Sequence, residues 1–401
     1  MNIEISPVTI PDKFENIQRF EYNYLNELKH FEDDTVKKLV CYPSFYQSSP
    51  PYQTLPEPTE DEKNLLKHYS NAQGVISELG LYFCSNSHIR GSGYVVKSGR
   101  RLYAPDLIQD YIEDNILRGV FNPINNGIQR KEHHITRPAA LLIHEGYAIY
   151  GHWLVDLIPK MWMFFSQYGK VPDDIIFPIC DDVPSWGIKI LETVFGIRQK
   201  QLFPFSNSAD DVLVDRLVAP SLVHNSHVFH PAAAEAFSYI KRKTVQQDFD
   251  PPRSYPNKIY VSRQKFRNKS ISMKRFMDNE DEIIAVAQRH GFEVVYPEDY
   301  SWEQQVGLFL NAKFVAGEPG SGMHNTIFCG SDAHILSIGD SRMQGALAAV
   351  QRQQITLLGP RQAYLEDDVY HFNYDPDRFD SALSIMLGNS PQTVVGYGGK
   401  A

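Results

Sequence analysis

Lys313-Phe314-Val315-Ala316-Gly317-Glu318-Pro319-Gly320-Ser321-Gly322-Met323-His324-Asn325 reads as a short apolar strand that stops at a cluster of Gly and Pro. An apolar, helix-like run, Met323 to Phe328, follows it. A strand that turns through glycines into a helix aims backbone N–H groups at one point, with the positive end of the helix dipole behind them. Gly320 and Gly322 let a bulky anion approach the backbone with no Cβ in the way. A lone Gly-x-Gly is also what an ordinary tight strand-to-helix turn looks like, so the surroundings decide.

Outward from the loop, a strand–helix alternation is regular. Lys258 to Ser262 reads as a strand, and Asn279-Glu280-Asp281-Glu282 as a capping box opening a helix that ends at His290-Gly291. Phe292 to Val295 is the next strand. Ser301-Trp302-Glu303-Gln304 is a second capping box, opening a helix to Asn311, and His334 to Ile338 is the strand after the glycine loop. The pattern predicts a Rossmann-like unit with a parallel sheet. Upstream, three prolines in 248–256 mark a linker. A second alternation is expected before it. It has strands at 139–143, 147–150, 174–179, 201–205 and 212–219, and helices at 152–168, 184–195 and 232–246. Short strands are expected over 80–101 and a helix over 106–118. Residues 1–79 read as an irregular, polar extension whose best helix runs from Asp12 to Asp33.

The chain has 401 residues, enough for two domains. Its net charge of −9 argues against nucleic-acid partners, which need a basic footprint. Four scattered cysteines build neither a disulfide framework nor a zinc site and suggest a reducing compartment. No signal-peptide pattern opens the chain, and the apolar run Trp153 to Phe165 is too short to span a bilayer. A cytoplasmic location is expected, with peripheral association at the inner face of a membrane as an alternative.

Three stretches carry chemistry. Ser262-Arg263-Gln264-Lys265-Phe266-Arg267-Asn268-Lys269, continuing to Lys274-Arg275, concentrates positive charge after a strand of the same unit as the glycine loop. Ligands of open α/β sheets sit at the carboxyl ends of strands, so Arg263 and Lys265 are candidate diphosphate clamps beside a backbone cradle at Gly320–Met323. A solvated loop is the plainer alternative. His152 and Asp156, at i and i+4, share a helix face. They form either a base held by a carboxylate or a local helix-end pair, which the residue types alone favour. His224, His227 and His230 fit no standard zinc spacing and read as a loop lining a cleft. Asp375-Pro376-Asp377 reads as a turn, and no nicotinamide-type glycine fingerprint is present.

Five segments stand in this order: Gly151-His152-Trp153 with Asp156-Leu157-Ile158-Pro159; Tyr260-Val261-Ser262-Arg263 with Lys265; Asn279-Glu280; Phe292 to Glu298; and Gly317 with Gly320-Ser321-Gly322 and Asn325. Together they resemble glycosyltransferase family 61, of the bacterial capsular polysaccharide biosynthesis type, over about residues 140–340. The resemblance implies an α/β, GT-B-like fold of two Rossmann-like domains facing across a cleft. Residues 1–79 would be the extension, 80–250 the acceptor domain and 251–360 the nucleotide-sugar domain. Residues 361–401 would be a tail packing back on the N-terminal domain.

The resemblance further implies inverting, metal-independent transfer, with no cofactor, from a UDP-sugar to a hydroxyl of a glycan or lipid-linked glycan. The donor set would be Ser262, Arg263, Lys265, Arg267, Glu318, Gly320, Ser321, Gly322, Met323 and Asn325. His152 and Asp156 would be catalytic, and Trp153, His224 and His227 would meet the acceptor. The chain departs from the family pattern at Glu318-Pro319, where a His is expected. A binding module of the same fold that has lost catalysis is the alternative.

Overall fold

A computed structural model of the chain describes residues 19–24, 29–47, 55, 58–60, 62–64, 74–76, 78–97, 100–103, 129–169, 171–225, 227–245, 255–267, 275–339, 342–360, 362–366 and 369–388. The expected helix at 106–118 and most of the expected linker lie outside them. The chain forms two compact units, Met1–Tyr46 with Val75–Ser226, and Gln47–Gly74 with His227–Ala401.

The first unit is mixed α/β. Its strands are β1 (Arg19–Tyr24), β2 (Lys29–Tyr42), β3 (Leu79–Arg90), β4 (Tyr94–Lys97), β5 (Arg100–Tyr103), β6 (Lys131–Ile135), β7 (Ala139–Ala140), β8 (Phe177–Cys180), β9 (Leu202–Phe205) and β10 (Asp210–Pro220). The main sheet runs β2-β1-β5-β4-β3-β10-β6, and β2 also pairs with β3, so the first five strands close a ring of antiparallel pairings. This corrects the expected irregular extension: strands, not a helix, occupy 19–24 and 29–42. Leu79 to Cys84 are all buried, which explains a continuous apolar run there instead of alternation.

Only the rest of this unit has Rossmann character. β10 runs parallel to β6 and β7, β8 runs parallel to β9, and Ala139 bridges Ile176 in parallel. Helices α1 (Ile158–Tyr168) and α2 (Ser185–Phe195) lie between these strands in sequence. The strand expected at 147–150 is instead a turn. Tyr147 N–H donates to His144 O (3.3 Å), and Gly146 takes φ +89°, a conformation that favours glycine.

The second unit holds a five-stranded, all-parallel sheet built from β11 (Lys258–Val261), β12 (Glu293–Val295), β13 (Phe314–Gly317), β14 (His334–Ile338) and β15 (Gln354–Leu358), ordered β12-β11-β13-β14-β15. The first and third strands are therefore neighbours, with Val261 level with Gly317. In this doubly wound order the chain reverses direction across the sheet between these two strands, and the crevice for a ligand opens at their carboxyl ends. α3 (Ala232–Val245) precedes the sheet, and α4 (Glu280–Arg289), α5 (Trp302–Asn311) and α6 (Arg342–Gln351) connect its strands.

The Ser301 capping box forms as expected: Gln304 N–H donates to Ser301 Oγ (3.2 Å) and Ser301 N–H to Gln304 Oε1 (2.9 Å). Asn279 does not cap α4. Its amide is taken by Tyr374, whose N–H donates to Oδ1 (3.1 Å) and whose carbonyl accepts from Nδ2 (2.8 Å).

The tail completes this same unit, contrary to the expected packing on the N-terminal domain. Phe379, Ala382, Leu383 and Met386 of α7 (Pro376–Met386) join Tyr260, Ala316, Leu336, Ile283 and Leu55 in one buried cluster. Asp375 caps α7, its Oδ1 accepting from Asp377 and Arg378 N–H, so the Asp-Pro-Asp expected as a turn is instead the start of a helix. Buried Glu62 pairs with Arg378 (2.6 Å) and accepts from Gly359 N–H (3.3 Å), tying the 58–64 segment to the second unit. Among the described residues no helix is long and apolar enough to cross a membrane.

Candidate active site

In the first unit the helix that starts at Tyr150–His152 passes through a π-helical turn, Trp153–Leu157, before continuing as α1. Such one-residue bulges are rare and concentrate at functional sites. Here the bulge carries Asp156, whose side chain is fully buried. His152 Nδ1–H donates to Asp156 Oδ2 (2.5 Å), and Nε2–H of His224 donates to Oδ1. An ionised carboxylate only accepts, so both ring nitrogens facing it carry protons, which leaves Nε2 of a neutral His152 as a base. Of the three side chains only His152 reaches solvent appreciably, at 24%, against 0% for Asp156 and 2% for His224.

Burial alone would raise the Asp156 pKa, but the charges and hydrogen bonds of His224 and His152 outweigh it and hold the carboxyl well below its usual range. Burial likewise pulls His152 down, while the Asp156 hydrogen bond and charge, with help from Glu145, leave it raised. Nearby His144 is buried. Burial, then the charge of buried Lys160, pushes it down to about 3, so it stays neutral.

The turn before the helix seats His152. A Cβ on Gly146 would lie 2.7 Å from the His152 Cγ. Gly146→Ala should therefore displace the imidazole and strain the backbone. We expect a loss of stability above about 1 kcal/mol and a fall in transfer rate near 10²-fold, the order that an ångström of misplacement costs. Thermal melting and steady-state kinetics on one preparation check both.

Trp153 is not at an acceptor surface. Its ring is fully buried, donates Nε1–H to Tyr147 O (2.6 Å), meets Trp186 edge-on and packs on Gly187. The three histidines of 224–230 divide. His224 joins Asp156, and His227 lies half-buried in the second unit. His230 Nδ1 accepts from Ala232 N–H (3.1 Å) at the start of α3. Among the described residues, no group of three His, Cys, Asp or Glu side chains is arranged to hold a metal ion.

In the second unit, Arg263 follows β11 and the glycine loop follows β13, at the carboxyl ends of the two neighbouring central strands. Arg263 Nη1 donates to Glu318 Oε1 (2.6 Å), and Arg275 Nε lies 2.8 Å from the same oxygen. Arg275 Nη2 also donates to Pro319 O. A Cβ on Gly320 would stand 3.4 Å from Arg275 Nη2 and 3.6 Å from Arg263 Cζ, so a side chain here would rest against both guanidiniums. Gly317 and Gly322 serve packing: a Cβ on either would press on Val261, and on Gly322 also on Pro297 at 3.0 Å.

The remaining expected donor contacts are largely structural. Met323–Phe328 is a short 3₁₀ turn, not an α-helix, so little dipole stands behind the loop. Met323 and Asn325 are fully buried, with Asn325 Nδ2 donating to Gln305 Oε1 (2.9 Å). Ser262 donates to Glu280 Oε1 (2.8 Å) and fixes the end of β11. Lys265 pairs with Asp299 over the Tyr296 ring (4.3 Å to its centroid). Ser321 is half-buried in the loop, and the Arg267 side chain lies outside the described residues.

Two functional candidates escaped the sequence reading. Arg275 was visible only as the end of a basic run. The His224–Asp156 pair spans 68 residues and leaves no local pattern beyond the cluster of three histidines.

No curated protein matches the chain. Residues 150–336, the stretch that carries His152, Asp156, His224, Arg263, Arg275, Glu318 and the glycine loop, match the family model described as Glycosyltransferase 61.

Proposed function

We propose that the chain is an inverting glycosyltransferase that moves a hexosyl or pentosyl unit from a UDP-sugar to a hydroxyl of a cell-surface polysaccharide or glycoconjugate. The observation that carries the reading is His152, partly exposed and held by a buried carboxylate within the family-matched segment. In this reading His152 Nε2 takes the acceptor proton as the hydroxyl oxygen bonds to the anomeric carbon. The bond from that carbon to the donor phosphate oxygen breaks in line, and configuration inverts. The diphosphate leaves with the electron pair, and Arg263 and Arg275 meet its charge.

The first unit would supply the acceptor side and the second the donor side, as in a GT-B enzyme. Metal independence, a cytoplasmic or inner-membrane-face location and a bacterial capsular role belong to the same proposal.

Calorimetric titration of UDP and other nucleoside diphosphates, followed by transfer assays with and without chelator, tests it. No binding by any nucleoside diphosphate would sink the reading, and activity lost to chelator would remove its metal-free part. The carboxylate of Glu318 between the two arginines favours one competitor, a binding module without turnover. A chain that binds UDP and turns over no donor would decide for it.

A further inference from the structure

The arrangement around Glu318 is more specific than an anion cradle. Its carboxylate is the most enclosed of the three charges, at 6% exposure, while Arg263 and Arg275 keep 21% and 37%. One oxygen, Oε1, accepts from both guanidiniums, at 2.6 and 2.8 Å. The carboxylate thus lies beneath and the cations lie towards solvent, with Gly320 alongside both guanidiniums. Two guanidiniums this close repel unless a negative charge stands between them. Each has five N–H donors in a rigid fork, so a bond to Glu318 fixes its plane without exhausting its donors. Buried Tyr374 senses the same carboxylate: burial, then the charge of Glu318, raises its pKa.

We infer that Glu318 is a positioning and charge-setting residue for a phosphate site whose binding groups are Arg263 and Arg275. It holds the two forks in register and offsets part of their positive charge. The ligand is the diphosphate of a nucleotide sugar. This rests on reading the second unit as the donor side, and it adds Arg275 and a defined task for Glu318. The reduced charge keeps product diphosphate from binding too tightly to leave.

The test is calorimetric titration of inorganic pyrophosphate into the full chain at fixed ionic strength. Glu318→Gln keeps an acceptor for both arginines and removes the charge, so its affinity should rise about tenfold. Glu318→Ala removes the acceptor as well, so it should bind at least about tenfold more weakly than Glu318→Gln. Gly320→Leu leaves the ion pairs in place and covers them, and should lower affinity at least about tenfold with little change in melting temperature. An alanine variant that binds as tightly as the glutamine variant would overturn the proposal, making the carboxylate a mere competitor. Equal affinity in all four proteins would overturn it too. The expected order of affinities in a chain that transfers no sugar would end the transferase reading and leave the phosphate site standing.

Discussion

Asp156→Asn is expected to lower the transfer rate by about 10²–10⁴-fold, the range that a positioned general base contributes. The carboxylate accepts from two imidazoles at once. An amide can accept on one side only and presents a donor to the other, so one histidine loses its tautomer or its orientation. Removing one partner of a buried ionic pair also costs about 3–5 kcal/mol, so the variant should melt earlier.

The pH dependence separates the two effects. In the wild type the rate should rise with pH to an inflection above the ordinary histidine value of about 6.5, because His152 is raised and acts only when deprotonated. Without the carboxylate, burial dominates and the inflection should move to lower pH. For stability the signs differ by group. The Asp156 contribution is complete above the unfolded carboxyl pKa of about 3.9 and is lost as pH falls through its depressed folded value. The His152 contribution is complete below about 6.5 and is lost as pH rises through its raised folded value. A variant with unchanged rate and unchanged inflection would remove Asp156 from catalysis.

Arg263→Ala should weaken nucleoside diphosphate binding by about 1.5–3 kcal/mol, the worth of hydrogen bonds to charged groups, or roughly ten- to hundredfold in Kd. Part of that loss is electrostatic, because Glu318 then faces Arg275 with no second guanidinium beside it. Salt dependence of the residual affinity should flatten for the same reason. Unchanged calorimetric affinity would place the diphosphate elsewhere.

What was legible in the sequence was local. The alternation of the second unit, the Ser301 capping box and the glycine turn each depend on residues within a few positions of one another, and each formed. The β1–β5 ring was not legible, because β2 pairs with β3 some forty residues on and its charged sequence shows no alternation. Asn279 looked like a cap until Tyr374, 95 residues away, took its amide. Half the catalytic candidate was visible as His152 and Asp156 at helical spacing. The π turn that buries Asp156 and the distant His224 were not. The basic run held Arg263, but the second cation beside Glu318 is Arg275, since Lys265 turns to Asp299.

The division of the chain has a consequence for its synthesis. The path passes between the two units at 46/47, 74/75 and 226/227, so neither unit is one continuous stretch. Glu62 meets Gly359 and Arg378, 297 and 316 residues later. On a ribosome adding about 5–20 residues per second, the 58–64 segment would wait on the order of tens of seconds for its partners. The first unit can close over residues up to 226 in that interval, while this early segment stays without its carboxylate's cation. Completion of the second unit is therefore a late event, set by the arrival of α7.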